Sequence, residues 1–302
     1  MPLGPLTVRM TPRRVWRIVL GAVIWSFLVL LLVFINLLQI LSLLLEPVSP
    51  RLVRTLNTSM ANFWWGSCVF VARKLNGTRI LATGDELPDR ENAVVIANHQ
   101  EMPDITVIMD LALRKHRLGH LKFFVKDQLK WVPGVGWGMY LLRFPFLKRN
   151  WTRDRDSIVR TFRRLVEGRA PMWLVIFPEG TRIRPHKHER AVAFARERGF
   201  TEPRHLLLPR PKGFVAAIQA LRGHARAVYD LTIGYEEGVP TLWQYITGLV
   251  PRVHVHLRRF PMAELPETGE ELAAWLRQRW VEKDELLATF YETGAFPGPE
   301  VD

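Results

Sequence analysis

The sequence predicts an α/β fold, a mixed and largely parallel sheet flanked by helices, behind an N-terminal membrane-embedded helical anchor. Three observations carry this. Residues 18–45 hold no charged side chain. From residue 77 onward, short apolar runs alternate with segments of helical spacing, the pattern of strands and helices packed in layers. Several of those runs, such as WLVIF at 173–177, are apolar at nearly every position, as in a strand covered on both faces.

The anchor comes first in the chain. A 28-residue run (18–45) is ~42 Å long as a helix, against a hydrocarbon core of ~30 Å. It is too long for a removable signal peptide, and no small-residue cleavage site follows it. Arg9, Arg13, Arg14 and Arg17 precede the run, and Arg51 and Arg54 follow it. The positive-inside rule holds the N-terminus in the cytoplasm, so a single span would put the body outside. Residues 52–75 offer a return path. They are rich in Leu, Phe and Trp with Arg at both ends, and read as a second, amphipathic helix. It either completes a re-entrant hairpin or lies in the interface, and both place the body on the cytoplasmic face. Glu46-Pro47 and Ser49-Pro50 break the two helices. The expected division is a membrane anchor over 1–76 and an α/β domain over 77–302.

In the body, the runs at 92–97, 121–126, 172–177, 205–209, 227–235 and 252–260 read as strands. The segments 104–115, 153–167, 187–199, 212–222 and 269–290 carry helical spacing. The last strand alternates Val253, Val255 and Leu257 with His254, His256 and Arg258, which predicts an edge strand with one wet face.

Lys and Arg number 42 against 29 Asp and Glu, a formal charge of +13. Such an excess suits an anionic partner: nucleic acid, an acidic membrane surface or a phosphorylated small molecule. The 11 tryptophans sit mostly in apolar contexts such as NFWWG rather than on a basic groove, so nucleic acid is not the expected partner. One cysteine, Cys68, excludes an internal disulfide and a cysteine-based metal site.

Ligands of α/β sheets collect where strands run out into loops, and three polar stretches fall there. The first is IANHQEMPDI, 96–105. Pro103 and Asp104 look like the first turn of a helix, which leaves His99 in the loop before it. Its ring can fold back onto Asp104, and a carboxylate on one ring nitrogen frees the other to take a proton. Of nine histidines only His99 has an acidic residue five positions on. Taken alone, this is either a base with its orienter or an ordinary polar turn. The second stretch is WLVIFPEGTRIR, 173–184. Here Gly180 allows close backbone approach and Arg182 offers a planar fork for phosphate. The third is HLLLPRPKGF, 205–214, a run ending in a basic, proline-broken loop. The pairs His186/His188 and His254/His256 have no third ligand at familiar spacing; they read as surface residues, and no metal is expected.

Together, NHQ-x3-D, FPEGTR and LLPRPKGF, each after an apolar run, resemble the glycerolipid acyltransferase family, whose best-known members acylate lysophosphatidic acid. VKDQLKWVPGVGW (125–137), FPFLKRNWTRDRD (144–156), AVYDLTI (227–233) and the tail at 275–298 extend the likeness to its lysophospholipid and lysocardiolipin branch. The resemblance implies transfer of an acyl group from acyl-CoA or acyl-carrier protein, as co-substrate and with no cofactor, to the free hydroxyl of 1-acyl-glycerol-3-phosphate. It implies His99 as base and Asp104 as its orienter, in a direct transfer without an acyl-enzyme. Lys126, Arg182 and Arg149 would meet the acceptor's phosphate. Glu179, Gly180 and Thr181 would shape the pocket, and Pro209 would lie on the donor side. One departure is Glu101, a carboxylate beside an anionic substrate, which is expected to face away. Another lysophospholipid acceptor stays open, as does a membrane lipid hydrolase that uses the same His/Asp pair on water.

Overall fold

The computed structural model describes residues 2–147, 162 and 166–301. Its centre is a seven-stranded mixed sheet. In chain order the strands are β1 (Arg79–Gly84), β2 (Ala93–Ala97), β3 (Leu121–Phe123), β6 (Trp173–Ile176), β7 (Ala227–Gly234), β8 (Arg252–Pro261) and β9 (Glu300–Val301). Two further short strands, β4 (Val125–Lys126) and β5 (Phe146–Leu147), pair with each other. The main sheet runs β3-β6-β2-β7-β8-β1-β9. The joins β3-β6, β6-β2, β2-β7 and β8-β1 are parallel, while β7-β8 and β1-β9 are antiparallel. The central strands β2, β6 and β7 are buried along their whole length, as the continuous apolar runs of β2 and β6 require. Helices cover both faces: α3 (Pro103–Arg114), α4 (Val135–Leu141), α5 (Pro185–Arg198), α6 (Pro211–Leu221), α7 (Leu242–Ile246) and α8 (Gly269–Thr293). A buried charge network ties α8 to β7. Lys283 Nζ lies 2.5 Å from Asp230 Oδ1, and Arg258 pairs with the other oxygen of that carboxylate.

The N-terminal segment forms a helical hairpin. α1 (Pro12–Ser42) starts with the Thr11 hydroxyl capping its first turn, and α2 (Pro50–Phe70) starts with the Ser49 hydroxyl doing the same. Each has Pro in its first turn, where the missing N–H costs nothing. The two run antiparallel. Trp64 Nε1 donates to the Leu28 carbonyl (2.9 Å), and Asn57 Nδ2 donates to Ser42 Oγ near the turn (2.8 Å). The hairpin lies along the body. Arg17 donates to the Gly248 carbonyl, and a Cβ on Gly21 would meet the backbone of Thr247 at 2.9 Å. Gly119 sits equally close to Thr58 of α2. Pro12–Leu45 is, among the described residues, the one helix long and apolar enough to cross a membrane by length and composition.

Three expectations are corrected. Residues 205–209 do not form a strand. Pro209 lacks an N–H, the amides of His205 and Leu207 go to the carboxylates of Asp284 and Glu179, and the segment crosses as a loop whose Leu206 and Leu207 are buried. β8 is not an edge, because β1 pairs along its outer side. Consequently His254 and His256 are not surface residues. His254 is buried against Glu236, and His256 Nδ1 lies 3.0 Å from the Thr83 hydroxyl. The run at 121–126 splits at Phe124 into β3 and β4. Most of the segment 153–167, read as helical, lies outside the described residues.

Candidate active site

The polar stretches meet at the carboxyl ends of the adjacent parallel strands β6, β2 and β7. Asn98 follows β2 and extends its ladder with a side chain: Nδ2 donates to the Ile233 carbonyl (2.9 Å) and Oδ1 accepts from the Ile233 amide (2.8 Å). Gln100 Nε2 donates to the same carbonyl at 2.8 Å. The loop that carries His99 is therefore fixed on both sides.

His99 Nδ1 lies 2.9 Å from Asp104 Oδ2. Asp104 stands in the first turn of α3 and is fully buried. The same Oδ2 accepts from the backbone amides of Gln100 (2.6 Å) and Glu101 (2.9 Å), and Oδ1 accepts from the Tyr235 hydroxyl (2.7 Å). Four donors on one carboxylate fix it in a single orientation. Burial and the neighbouring Asp104 push the Tyr235 phenol well above its ordinary value, so it stays a donor. The His99 ring stacks on Phe177, with centroids 4.1 Å apart and planes at 19°. Its other nitrogen, Nε2, has no hydrogen-bond partner among the described residues, and the ring lines a cavity of about 2070 Å³.

Glu179 follows β6 and acts as a strut. Oε1 accepts from the His99 amide (3.0 Å) and Oε2 from the Leu207 amide (3.3 Å), which joins the loops after β2 and β6 to the loop before α6. Burial pushes its carboxyl up to about 8, even though the two amides pull the other way. Gly180 has φ +69°, a conformation L side chains rarely adopt. A Cβ there would also lie 3.4 Å from Arg210 Cδ. The Thr181 hydroxyl accepts from Lys187. Arg182 and Arg184 both bind the Glu101 carboxylate. The turn that carries Glu101 points its side chain at the two guanidiniums, and Glu101 is not among the residues that line the cavity. Burial alone would raise this carboxyl, but the Met102 amide and the two guanidiniums hold it below its ordinary value.

Lys126, on β4, and the buried Pro209 line the same cavity as His99, Glu179, Gly180, Thr181 and Arg182. Arg149 lies outside the described residues. The cavity has two kinds of wall. Toward the hairpin it is apolar, with Leu28, Leu32, Ile35, Trp64 and Trp65. Toward α5 and α8 it is cationic, with Arg190, Arg210, Lys212 and Arg277. The residues that motif reading missed are Tyr235, Phe177 and Arg210. Tyr235 ends the AVYDLTIGY run one residue past β7, much as His99 lies two residues past β2, and its place just beyond a central strand is the one signal that could have found it.

Comparison with known proteins gives the chain a family. The profile of the Acyltransferase family matches residues 79–236, and that of the Acyltransferase C-terminus matches 244–302. A probable 1-acyl-sn-glycerol-3-phosphate acyltransferase 5 of Arabidopsis thaliana is 36% identical over 241 residues, covering 78% of this chain and 64% of that protein. An uncharacterized acyltransferase of Schizosaccharomyces pombe is 37% identical over 220 residues, covering 70% and 63%. The chain therefore spans just under two thirds of the length of both. The human 1-acyl-sn-glycerol-3-phosphate acyltransferase gamma is 34% identical over 271 residues, covering 88% of this chain and 72% of the human protein. The crystal structure of a 1-acyl-sn-glycerophosphate acyltransferase from Thermotoga maritima superposes with a TM-score of 0.52 at 18% identity, covering 91% of this chain and 98% of that one. It shares the fold.

Proposed function

The chain belongs to the acyltransferase family, and from that premise we propose that it moves an acyl group from acyl-CoA, or acyl-carrier protein, to the free hydroxyl of 1-acyl-glycerol-3-phosphate, giving phosphatidic acid. The observation that carries this reading is the His99–Asp104 pair, 2.9 Å apart, on the wall of a cavity that is apolar on one side and cationic on the other. A lysophospholipid and a phosphorylated thioester donor both have that division of character.

In this reading His99 Nε2 takes the proton from the acceptor hydroxyl as its oxygen attacks the thioester carbonyl. General-base help of this kind is worth ~10²–10⁴-fold. The tetrahedral intermediate collapses, the C–S bond breaks, and the departing thiolate takes the proton back from the imidazolium. Asp104 keeps the ring in the tautomer that leaves Nε2 free, and it stabilises the imidazolium between the two steps. Phe177 holds the ring plane. Arg182 and Lys126 meet the acceptor's phosphate, with Arg149 assigned to the same task. Glu179, Gly180 and Thr181 form the turn that presents Arg182, and Pro209 belongs to the donor-side loop. The carrier of the whole is the anchor, residues 1–76. A hairpin whose two ends both meet the body supports a re-entrant or interfacial anchor with the α/β domain on the cytoplasmic face.

An acceptor panel tests the reading. Purified protein receives labelled oleoyl-CoA with 1-acyl-glycerol-3-phosphate, with other lysophospholipids, or with none. Phosphatidic acid is the expected product. Product from a different lysophospholipid alone moves the acceptor and leaves the chemistry. Free fatty acid in the absence of acceptor replaces transfer with hydrolysis.

A further inference from the structure

The apolar surface of α1 does not end at the hairpin. Residues 129–140, the short helix Asp127–Trp131 and most of α4, present Leu129, Trp131, Val132, Val135, Trp137 and Tyr140 to solvent. Trp131 is 75% exposed and Tyr140 62%. Such a concentration of large apolar side chains in twelve residues marks an interaction face. Glycines seat it against α1. A Cβ on Gly134 would lie 3.2 Å from Leu32 Cδ2, and one on Gly138 would lie 3.4 Å from Asn36 Nδ2. The contact falls on residues 32–36 of α1, in the middle of the uncharged run. The neighbouring face of that helix is also bare: Leu30, Val33, Phe34 and Leu37 are each more than half exposed. The two surfaces adjoin.

We propose that residues 129–140 are a second membrane-inserting element, seated in the bilayer beside the hairpin, and that they form the rim through which lipid reaches His99. This rests on the reading of α1 as the membrane anchor. Three observations favour lipid over a protein partner. The face continues the apolar surface of α1. Two tryptophans and a tyrosine are the side chains that settle at the membrane–water boundary, with an apolar ring and a polar tip. Lys130, the one charged side chain within 129–140, pairs with Asp127, and Arg143 just beyond it pairs with Glu46 at the hairpin turn. The assignment as a rim follows from residues with two roles. Leu129, Val132 and Val135 are exposed, yet they also line the cavity that holds His99, Arg182 and the apolar wall of α1 and α2. The cavity therefore opens at this patch. A lipid acceptor could slide from the bilayer into the site without passing through water.

Site-specific labels test this in the full-length chain. In a Cys68→Ser background, single cysteines replace Trp131, Tyr140, Phe27 of α1 and the exposed Glu292 of α8, and each carries an environment-sensitive fluorophore. The proteins are reconstituted into phosphatidylcholine–phosphatidylglycerol vesicles with and without doxyl-labelled lipid. The labels at 131 and 140 are expected to shift to the blue and lose at least half their emission to doxyl lipid, as the label at 27 does, while the label at 292 is unaffected. Quenching at 27 but not at 131 and 140 overturns the proposal and leaves the anchor intact. A blue shift at 131 and 140 without doxyl quenching also overturns it, in favour of a protein contact such as a second copy. An unquenched label at 27 removes the anchor reading on which the proposal stands.

Discussion

Replacing Asp104 with asparagine separates the charge of the His99–Asp104 pair from its geometry. The site accommodates the change. An amide oxygen in the place of Oδ2 keeps the Gln100 and Glu101 amides and His99 Nδ1 as donors, at the 2.6, 2.9 and 2.9 Å they hold now. The new amide nitrogen then faces the Tyr235 hydroxyl, which turns from donor to acceptor. What disappears is the carboxylate's attraction for the imidazolium that forms during transfer. Unit charges about 4 Å apart interact by about 4 kcal/mol at an effective dielectric of about 20. A neutral hydrogen bond returns about 1 kcal/mol of that. The remaining ~3 kcal/mol corresponds to a fall of about 10²-fold in kcat. The assay is initial-rate acyl transfer from oleoyl-CoA at saturating acceptor, with thermal unfolding in the same detergent as the control for folding. Asp104→Asn is expected to unfold within a few degrees of the parent. A folded Asp104→Asn protein with kcat within threefold of the parent would refute the reasoning, because the carboxylate would then be only the cap of α3.

Glu101→Gln frees Arg182 and Arg184 from a carboxylate that competes with the acceptor's phosphate. KM for 1-acyl-glycerol-3-phosphate is expected to fall at least threefold with kcat little changed, and a rise in KM in the same assay would mean that Glu101 organises the arginines instead. Tyr235→Phe removes one donor from Asp104 Oδ1 at a cost of about 1.5–3 kcal/mol for a bond to a charged group. A tenfold or greater loss of kcat with unchanged KM is the expected result, and an equal effect on both would assign Tyr235 to substrate binding. Glu179 makes stability depend on pH. Its carboxyl is raised from 4.5 to about 8, so below about pH 4.5 it is protonated in both states and its contribution is fully present. Between the two values the unfolded chain gives up its proton first. Each pH unit there removes about 1.4 kcal/mol. Melting temperature should fall from pH 5 to 8 more steeply in the parent than in Glu179→Gln, and parallel profiles would show Glu179 ionised in the folded protein.

Local chemistry was readable in the sequence, and long-range pairing was not. Pro103 and Asp104 announce a helix start, and that alone places His99 in the preceding loop within reach of the carboxylate. The buried strands β2 and β6 announce themselves by their unbroken apolar runs. The polar stretches after β2 and β6 likewise mark the end of the sheet at which they meet. Tyr235 lies 131 positions from the carboxylate it touches, and only its place just past the end of a central strand hints at the contact. β8 reads as an edge because its alternation is real, but its outer side is covered by β1, a short strand of mixed character from 170 residues earlier. Glu101 reads as a carboxylate that must avoid an anionic substrate; the two arginines that neutralise it, Arg182 and Arg184, lie 81 and 83 positions away in the chain. The run at 205–209 has a strand's composition, but the amides of His205 and Leu207 bond to Asp284 and Glu179 instead of to a neighbouring strand, and it forms a loop.

The measurement closest to the central claim compares the parent with His99→Ala, both purified in detergent and both shown to be folded by thermal unfolding. Each receives labelled oleoyl-CoA and 1-acyl-glycerol-3-phosphate, and phosphatidic acid is counted. The account predicts product from the parent and a loss of at least ~10²-fold in His99→Ala, the lower end of what a general base contributes. A folded His99→Ala protein that makes phosphatidic acid at the parental rate would contradict it.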